Sequence, residues 1–157
     1  MQNKYGFLIE VASRQIKQAF QRKLQQSGTG LTVDQWVVLD KLSGGPKSQV
    51  QVVEAVYKDP PTVTRILDLL GRKNLVVRQA DPNDRRKFSV GLTPLGQAVI
   101  AQLKPVVDEY RNQGWQGLTD EDYMHLHRVM TKIVHNFEME SAATLMNLTA
   151  ISDEKAA

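Results

Sequence analysis

The sequence predicts a mainly α-helical fold that carries one small β-hairpin. Three observations predict it. A capped amphipathic stretch from Asp59 to Asn74 runs straight into two short strand-like segments split by a charged turn. Two short helical stretches, each opened by a capping box, stand just before it. Long apolar-periodic segments occupy both ends of the chain.

The first terminal segment spans residues 4–26. Leu8, Ala12, Ile16, Ala19 or Phe20, and Leu24 form a stripe with Tyr5 and Ile9 beside it, while Lys17, Arg22 and Lys23 face out. Ser27-Gly28-Thr29-Gly30 ends the helix. Thr32 then caps a second helix and Gln35 reaches back to it, which is a capping box. Trp36, Leu39 and Leu42 lie on one face, and Ser43-Gly44-Gly45-Pro46 stops it. Ser48 and Gln51 form a second capping box, opening a short helix through Val52, Val53 and Val56 to about Tyr57.

Asp59 is the N-cap of the next helix, and Pro60 and Pro61 fall in its first turn, where a missing N–H does no harm. Val63, Ile66, Leu67 and Leu70 recur at i, i+3, i+4 and i+7, which makes one buried face. Pro61, Thr64, Arg65, Asp68 and Arg72 occupy the other. Lys73 and Asn74 close the helix: Asn tolerates the left-handed cap geometry and the cation suits the C-terminal dipole. Leu75 to Arg78 reads as a strand and Asp81-Pro82-Asn83-Asp84 as a turn. Phe88, Val90 and Leu92 alternate with Ser89 and Gly91 in a second strand. Thr93-Pro94 starts a helix to about Asn112, with a kink or break expected near Lys104 because Pro105 lies inside it. Thr119 caps the last helix, whose first residues Asp120, Glu121 and Asp122 suit the positive end of its dipole. Tyr123, Leu126, Met130, Ile133 and Phe137 give it a stripe at 3-4-3-4 spacing, continuing less regularly through Leu145 and Leu148.

A helix with an outward Thr/Arg surface beside a hairpin tipped by Arg85, Arg86 and Lys87 suits DNA. Hydroxyl and guanidinium groups can read base edges in a major groove. The tip can reach phosphates or a narrow minor groove, which attracts Arg.

The stretch TVTRILDLLGRKNLVVR followed by DPNDRRKFSVGLTPLG resembles the MarR family of bacterial winged helix-turn-helix transcription regulators. The wing signature is carried by Asp84, Arg86, Leu92 and Thr93, with Gly96 following. The motif-level resemblance runs from roughly Leu31 to Val99. Two positions depart from the pattern: Asn74 stands where Gly is usual, and Val52-Val53 where Leu-Ala is common. The resemblance implies that Asp84 pairs with Arg86 to hold the wing while Arg86 enters the minor groove. It also implies that the long terminal helices build a dimer interface. A small aromatic or anionic effector then sits in a crevice between the DNA-binding and dimer regions, with Tyr5 and Trp36 as candidate walls. Thiol oxidation, used by some members, has no cysteine to act on here.

The expected organisation is one protomer over residues 1–157. It has a winged helix-turn-helix core at 31–96 and helical dimerisation regions at 1–30 and 97–150. The residues expected at DNA are Ser48, Pro61, Thr62, Thr64, Arg65, Arg72, Lys73, Arg85 and Arg86. Among them Thr62, Thr64 and Arg65 are placed for bases or nearby phosphates, and Arg72 and Lys73 for the backbone. Ser48 offers a helix N-terminus to a phosphate.

Charge agrees with one nucleic-acid face. The net charge of +3 hides an asymmetry: +4 over residues 1–47, +3 over 48–94, zero over 95–117 and −4 over 118–157. The basic first half fits a DNA face and the acidic tail fits a face turned away from it. The N-terminus lacks a signal-peptide layout and no apolar run is long enough to span a bilayer, so a soluble cytoplasmic protein is expected. No metal or cofactor is expected: His125 and His127 point to different sides of a helix, and no His-Glu-x-x-His motif or phosphate-binding Gly loop is present. The carboxylates at 120–122 read as helix-start charges, and no motif supports an enzyme. The expected function is a DNA-binding transcription regulator, a ligand-responsive repressor acting as a homodimer on a palindromic operator. The alternative is a winged-helix protein-interaction module that binds no DNA.

Overall fold

The computed structural model describes residues 3–80 and 88–154 of the chain, with side-chain surroundings for 4–80 and 88–138. The elements are α1 (Asn3–Gln26), α2 (Val33–Leu42), β1 (Lys47–Ser48), α3 (Gln49–Val56), α4 (Pro60–Arg72), β2 (Val76–Ala80), β3 (Phe88–Leu92), α5 (Pro94–Gly114) and α6 (Asp120–Glu154). They fall into two units, one ending at Gly114 and one beginning at Trp115. Among the described residues no helix is long and apolar enough to cross a membrane.

The core of the first unit lies where α2, α3 and α4 meet the sheet and the inner ends of α1 and α5. Leu24, Leu31, Leu39, Leu42, Leu70 and Leu103 are fully buried there, with Val38, Val52 and Val63 between them. Truncating any of these leucines to alanine costs about 2–5 kcal/mol, because lost transfer energy adds to the cavity left behind. Both predicted capping boxes form. Gln35 N donates to Thr32 Oγ1 at 3.2 Å and Gln51 N to Ser48 Oγ at 3.2 Å, with each glutamine side chain returning to the cap amide.

The sheet has three strands in the order β1-β3-β2, all antiparallel. The predicted hairpin is present as β2 and β3, with Arg78 opposite Val90 and Val76 opposite Leu92. The added strand, β1, pairs Lys47 with Val90 and Ser48 with Ser89. Two residues are too few to show a period-2 pattern, so no sequence signal marks it.

The break expected near Lys104 does not occur, and the α1 stripe divides between core and surface. α5 runs unbroken through Pro105 to Gly114. Proline removes the hydrogen bond to the carbonyl of Ala101, but both residues are exposed, so water can satisfy that carbonyl. Leu103 and Val107 meanwhile anchor the helix on both sides of the proline. The α1 stripe, for its part, is only half a core face. Phe20 and Leu24 are buried, while Tyr5, Leu8 and Ile16 are exposed within the chain. The buried end is held by Phe20 stacked on Tyr110 of α5 at 4.6 Å, by Tyr110 Oη donating to Ile16 O at 3.0 Å, and by Lys23 paired with Glu109 at 2.6 Å.

In the second unit, α6 begins as predicted. Asp122 N donates to Thr119 Oγ1 at 3.2 Å, and the Asp122 carboxylate accepts from Thr119 N at 2.9 Å. Those Thr119 bonds hold the Asp122 carboxyl below its ordinary value. Tyr123 and Leu126 of its apolar stripe are exposed and Met130 and Ile133 half-buried.

Candidate nucleic-acid interface

The site is built around α4. Asp59 caps it, accepting from Thr62 N at 2.8 Å. The Thr62 hydroxyl and amide together hold the Asp59 carboxyl below its ordinary range. Val63, Ile66, Leu67 and Leu70 bury one face, so helical geometry turns Pro61, Arg65, Asp68 and Arg72 outward. Pro61, Thr64, Arg65, Asp68, Leu69 and Arg72 together line one shallow groove of about 550 Å³. Asn74 adopts φ 55°, the left-handed cap predicted for it, and α4 then turns into β2.

The carboxylates of α4 are both engaged. Asp59 is occupied by its cap, and Asp68 accepts from Arg78 Nη2 of β2 at 2.8 Å. Arg65 and Arg72 have no ion pair among the described residues. The outward face is therefore cationic in effect, although its formal charge is only modest.

Three arrangements went unseen in the sequence. The Asp68–Arg78 pair ties α4 to the hairpin, a pairing that ten intervening residues and a turn hide from any helical spacing. Gln49, the first residue of α3, donates from Nε2 to Thr64 Oγ1 at 2.7 Å, and Thr64 donates to Pro60 O at 2.9 Å. Asp34 at the start of α2 meets Lys58 at 3.1 Å and Lys17 at 3.5 Å, which fixes the turn leading into α4. Partial burial works against ionisation of Asp34, but the hydrogen bond from Lys58 and the charge of Lys17 outweigh it and lower its pKa.

The remaining predicted residues are distributed as follows. Ser48 is half-buried at the N-terminus of α3. Lys73 bends back from α4, donating to Gly30 O at 2.5 Å and to Gln35 Oε1 at 3.3 Å, so its ammonium is used in tying α4 to the α1–α2 loop. Asp84, Arg85, Arg86 and the Asp81–Asp84 turn lie outside the described residues. Tyr5 and Trp36 do not form one wall. Trp36 is 5% exposed and packs edge-on to Phe20 at 6.3 Å, whereas Tyr5 stands about 22 Å further up α1 at helical rise. A separate cleft of about 290 Å³ lies between α2 and α4, lined by Thr32, Asp34, Gln35, Thr62, Arg65, Ile66 and Leu69.

Helices α2, α3 and α4 packed on one another, with β1 between α2 and α3 joining the β2–β3 hairpin in one antiparallel sheet, define a winged helix-turn-helix protein. A model of the MarR family matches residues 29–87, the span from the start of the core through the connection between β2 and β3. The chain is similar to BpsR of Bordetella bronchiseptica, whose DNA binding is regulated by 6-hydroxynicotinic acid: 30% identity over 82% of this chain and 91% of that one, with a TM-score of 0.74. It is similar to a cysteine-to-serine mutant of MarR from E. coli complexed with operator DNA, at 26% identity over 82% and 91% with a TM-score of 0.74. It is also similar to S. aureus MepR in a DNA complex, at 27% identity over 84% and 97% with a TM-score of 0.76. The chain belongs to the MarR family of transcription regulators. Members of that family are regulators and not enzymes, in keeping with the absence of a catalytic motif from the sequence.

Proposed function

We propose that this chain is a sequence-specific DNA-binding repressor that acts as a homodimer on an imperfect palindrome and is released by a small effector. The single observation that carries the reading is the outward face of α4. It offers Pro61, Thr62, Thr64, Arg65 and Arg72 on a rigid helix whose two carboxylates are already engaged. Major-groove edges are read by such guanidinium groups and by small apolar side-chain groups, while phosphate contacts set the register. Ser48 at the α3 N-terminus suits a phosphate. Arg85 and Arg86 are proposed for the minor groove, with Asp84 holding Arg86.

Pairing is supported by the exposed apolar residues of the terminal helices, Tyr5, Phe7 and Leu8 on α1 and Tyr123 and Leu126 on α6. Exposed apolar residues grouped on a helix suit an interaction site. A homodimer presents its two α4 helices to successive major grooves, so half-sites should lie about 10 bp apart. The effector acts by preferring a conformer whose two helices are wrongly spaced. A small aromatic or anionic molecule suits that role, as one does for BpsR. The cleft between α2 and α4 supports the idea, because Thr62 and Arg65 belong both to its wall and to the reading helix. A cytoplasmic location follows from a DNA partner.

The test is an anisotropy titration against the promoter region beside the protein's own gene at two salt concentrations. Phosphate neutralisation predicts a steep fall of affinity with salt. Arg86→Ala should weaken binding by about 1–3 kcal/mol with folding intact, and Arg65→Ala should relax sequence preference. A folded dimer that binds no duplex at low salt in the absence of effector would favour a protein-interaction module.

A further inference from the structure

Thr64 sits in the middle of the reading face, yet its hydroxyl is already occupied. Its one proton goes to Pro60 O at 2.9 Å, and one of its two lone pairs accepts Gln49 Nε2 at 2.7 Å. The first bond alone would be unremarkable, since a helical threonine often returns its hydroxyl to the carbonyl four residues back and splits between two rotamers in doing so. The second bond comes from a different helix, and it selects one rotamer. With Oγ1 held between Pro60 and α3, the side chain's remaining substituent is the γ-methyl. Thr64 is only partly buried and lines the outward groove with Pro61, Arg65 and Arg72.

We propose that Thr64 reads its operator position through this methyl, in contact with the 5-methyl of a thymine, and that Gln49 is the positioning residue that fixes the methyl there. The proposal rests on the DNA-binding reading of α4. The chemistry is selective because the thymine methyl is the apolar group that base pairs present in the major groove, and small apolar side-chain groups recognise it. A hydroxyl free to rotate could donate to a base acceptor and would blur the preference between bases. A hydroxyl already donating inward cannot. Gln49 thus converts an ambivalent side chain into an apolar one.

The test uses a duplex that the full-length protein selects from a random-sequence pool, resynthesised with deoxyuridine at one thymine at a time. Deoxyuridine lacks only the 5-methyl. Removing one buried methyl from the contact should weaken binding about fourfold at one thymine in each half-site. Thr64→Ser keeps the hydroxyl and loses the methyl. It should show the same loss on the thymine duplex and no further loss on deoxyuridine. Thr64→Val keeps a methyl and should retain the discrimination. Gln49→Ala frees the rotamer, so it should bind with reduced discrimination between thymine and deoxyuridine. Tight wild-type binding that no deoxyuridine weakens, or a Thr64→Ser protein that still senses it, overturns this inference and leaves the DNA reading standing. A wild-type protein that selects no duplex overturns both.

Discussion

Gly96→Ala should destabilise the first unit by about 1–3 kcal/mol, whereas Gly71→Ala one helix earlier should stabilise it. Both glycines are helical and neither has positive φ. Their surroundings differ. A Cβ at Gly96 would lie 2.1 Å from Leu75 O, 3.1 Å from Leu75 C and 3.4 Å from Leu92 Cδ2. A carbon and a carbonyl oxygen approach comfortably to about 3.3 Å, so the backbone must open by about 1 Å. It has little freedom to do so. Leu75 O accepts Thr93 N at 3.1 Å, Leu75 N donates to Leu70 O at 3.0 Å, and Thr93 Oγ1 donates to Asn74 O at 2.6 Å while accepting Gly96 N at 3.0 Å. Overpacking of this kind costs about 1–3 kcal/mol. A lost Thr93–Leu75 bond adds about 1 kcal/mol. Alanine's better helix propensity returns about 1 kcal/mol. At Gly71 nothing lies within 4 Å of an added Cβ, so only the propensity gain remains, about 0.5–1 kcal/mol. Urea midpoints at one fixed protein concentration measure both variants. A Gly96→Ala midpoint at or above wild type, with an unchanged slope, would refute the rigidity ascribed to the corner where α4, β2 and α5 meet.

Other consequences are testable with single variants. Asp68 and Arg78 are each about half exposed (48% and 51%), so their pair adds no more than about 1 kcal/mol to stability. Its larger effect should be on DNA: Arg78→Ala bares a carboxylate on the reading face and should lower affinity about tenfold, or 1.4 kcal/mol, with Asp68→Asn in the same chain restoring most of it. A double variant as weak as Arg78→Ala would refute that. Asp34 has a lowered pKa in the folded chain, so its contribution is present above the ordinary value of 3.8 and is lost as pH falls through the lowered one. Asp34→Asn should therefore cost under about 1 kcal/mol at neutral pH, with the deficit vanishing in acid; a deficit constant with pH would remove the electrostatic explanation. Tyr57 caps α3 at φ 52° and is 85% exposed. Tyr57→Gly should raise thermal stability by about 0.5–1 kcal/mol, the relief of left-handed strain exceeding glycine's entropy cost, and a lower melting temperature would show that the ring makes a contact worth more than the strain.

Capping chemistry made most of this fold legible. Thr32/Gln35, Ser48/Gln51, Asp59 with Pro60, and Thr93 each place a helix start within a few residues of where it falls. The i, i+3, i+4, i+7 pattern of Val63, Ile66, Leu67 and Leu70 fixed which side of α4 is outward, and with it the face proposed to read DNA. The departure at Asn74 is explained by its left-handed cap, and Val52 in the place of the usual Leu is fully buried. Side-chain partners were not legible, because they depend on which residues of different elements meet. Lys73 looked like an outward cation and is bonded to Gly30. Thr64 looked like a hydroxyl and its proton is committed to Pro60. The family resemblance offered Trp36 as a ligand wall, and it belongs to the core. The Thr93–Gly96 end of the wing signature is structural: it clamps α5 onto the end of α4, where the close approach to Leu75 O leaves no room for a Cβ.

The most direct measurement is a hydroxyl-radical footprint of the full-length protein on its selected duplex. The account predicts two protected patches about 10 bp apart on one face of the helix, both weakened together by Arg65→Ala. A single protected patch, or protection that Arg65→Ala leaves untouched, would contradict the claim that a homodimer reads DNA through α4.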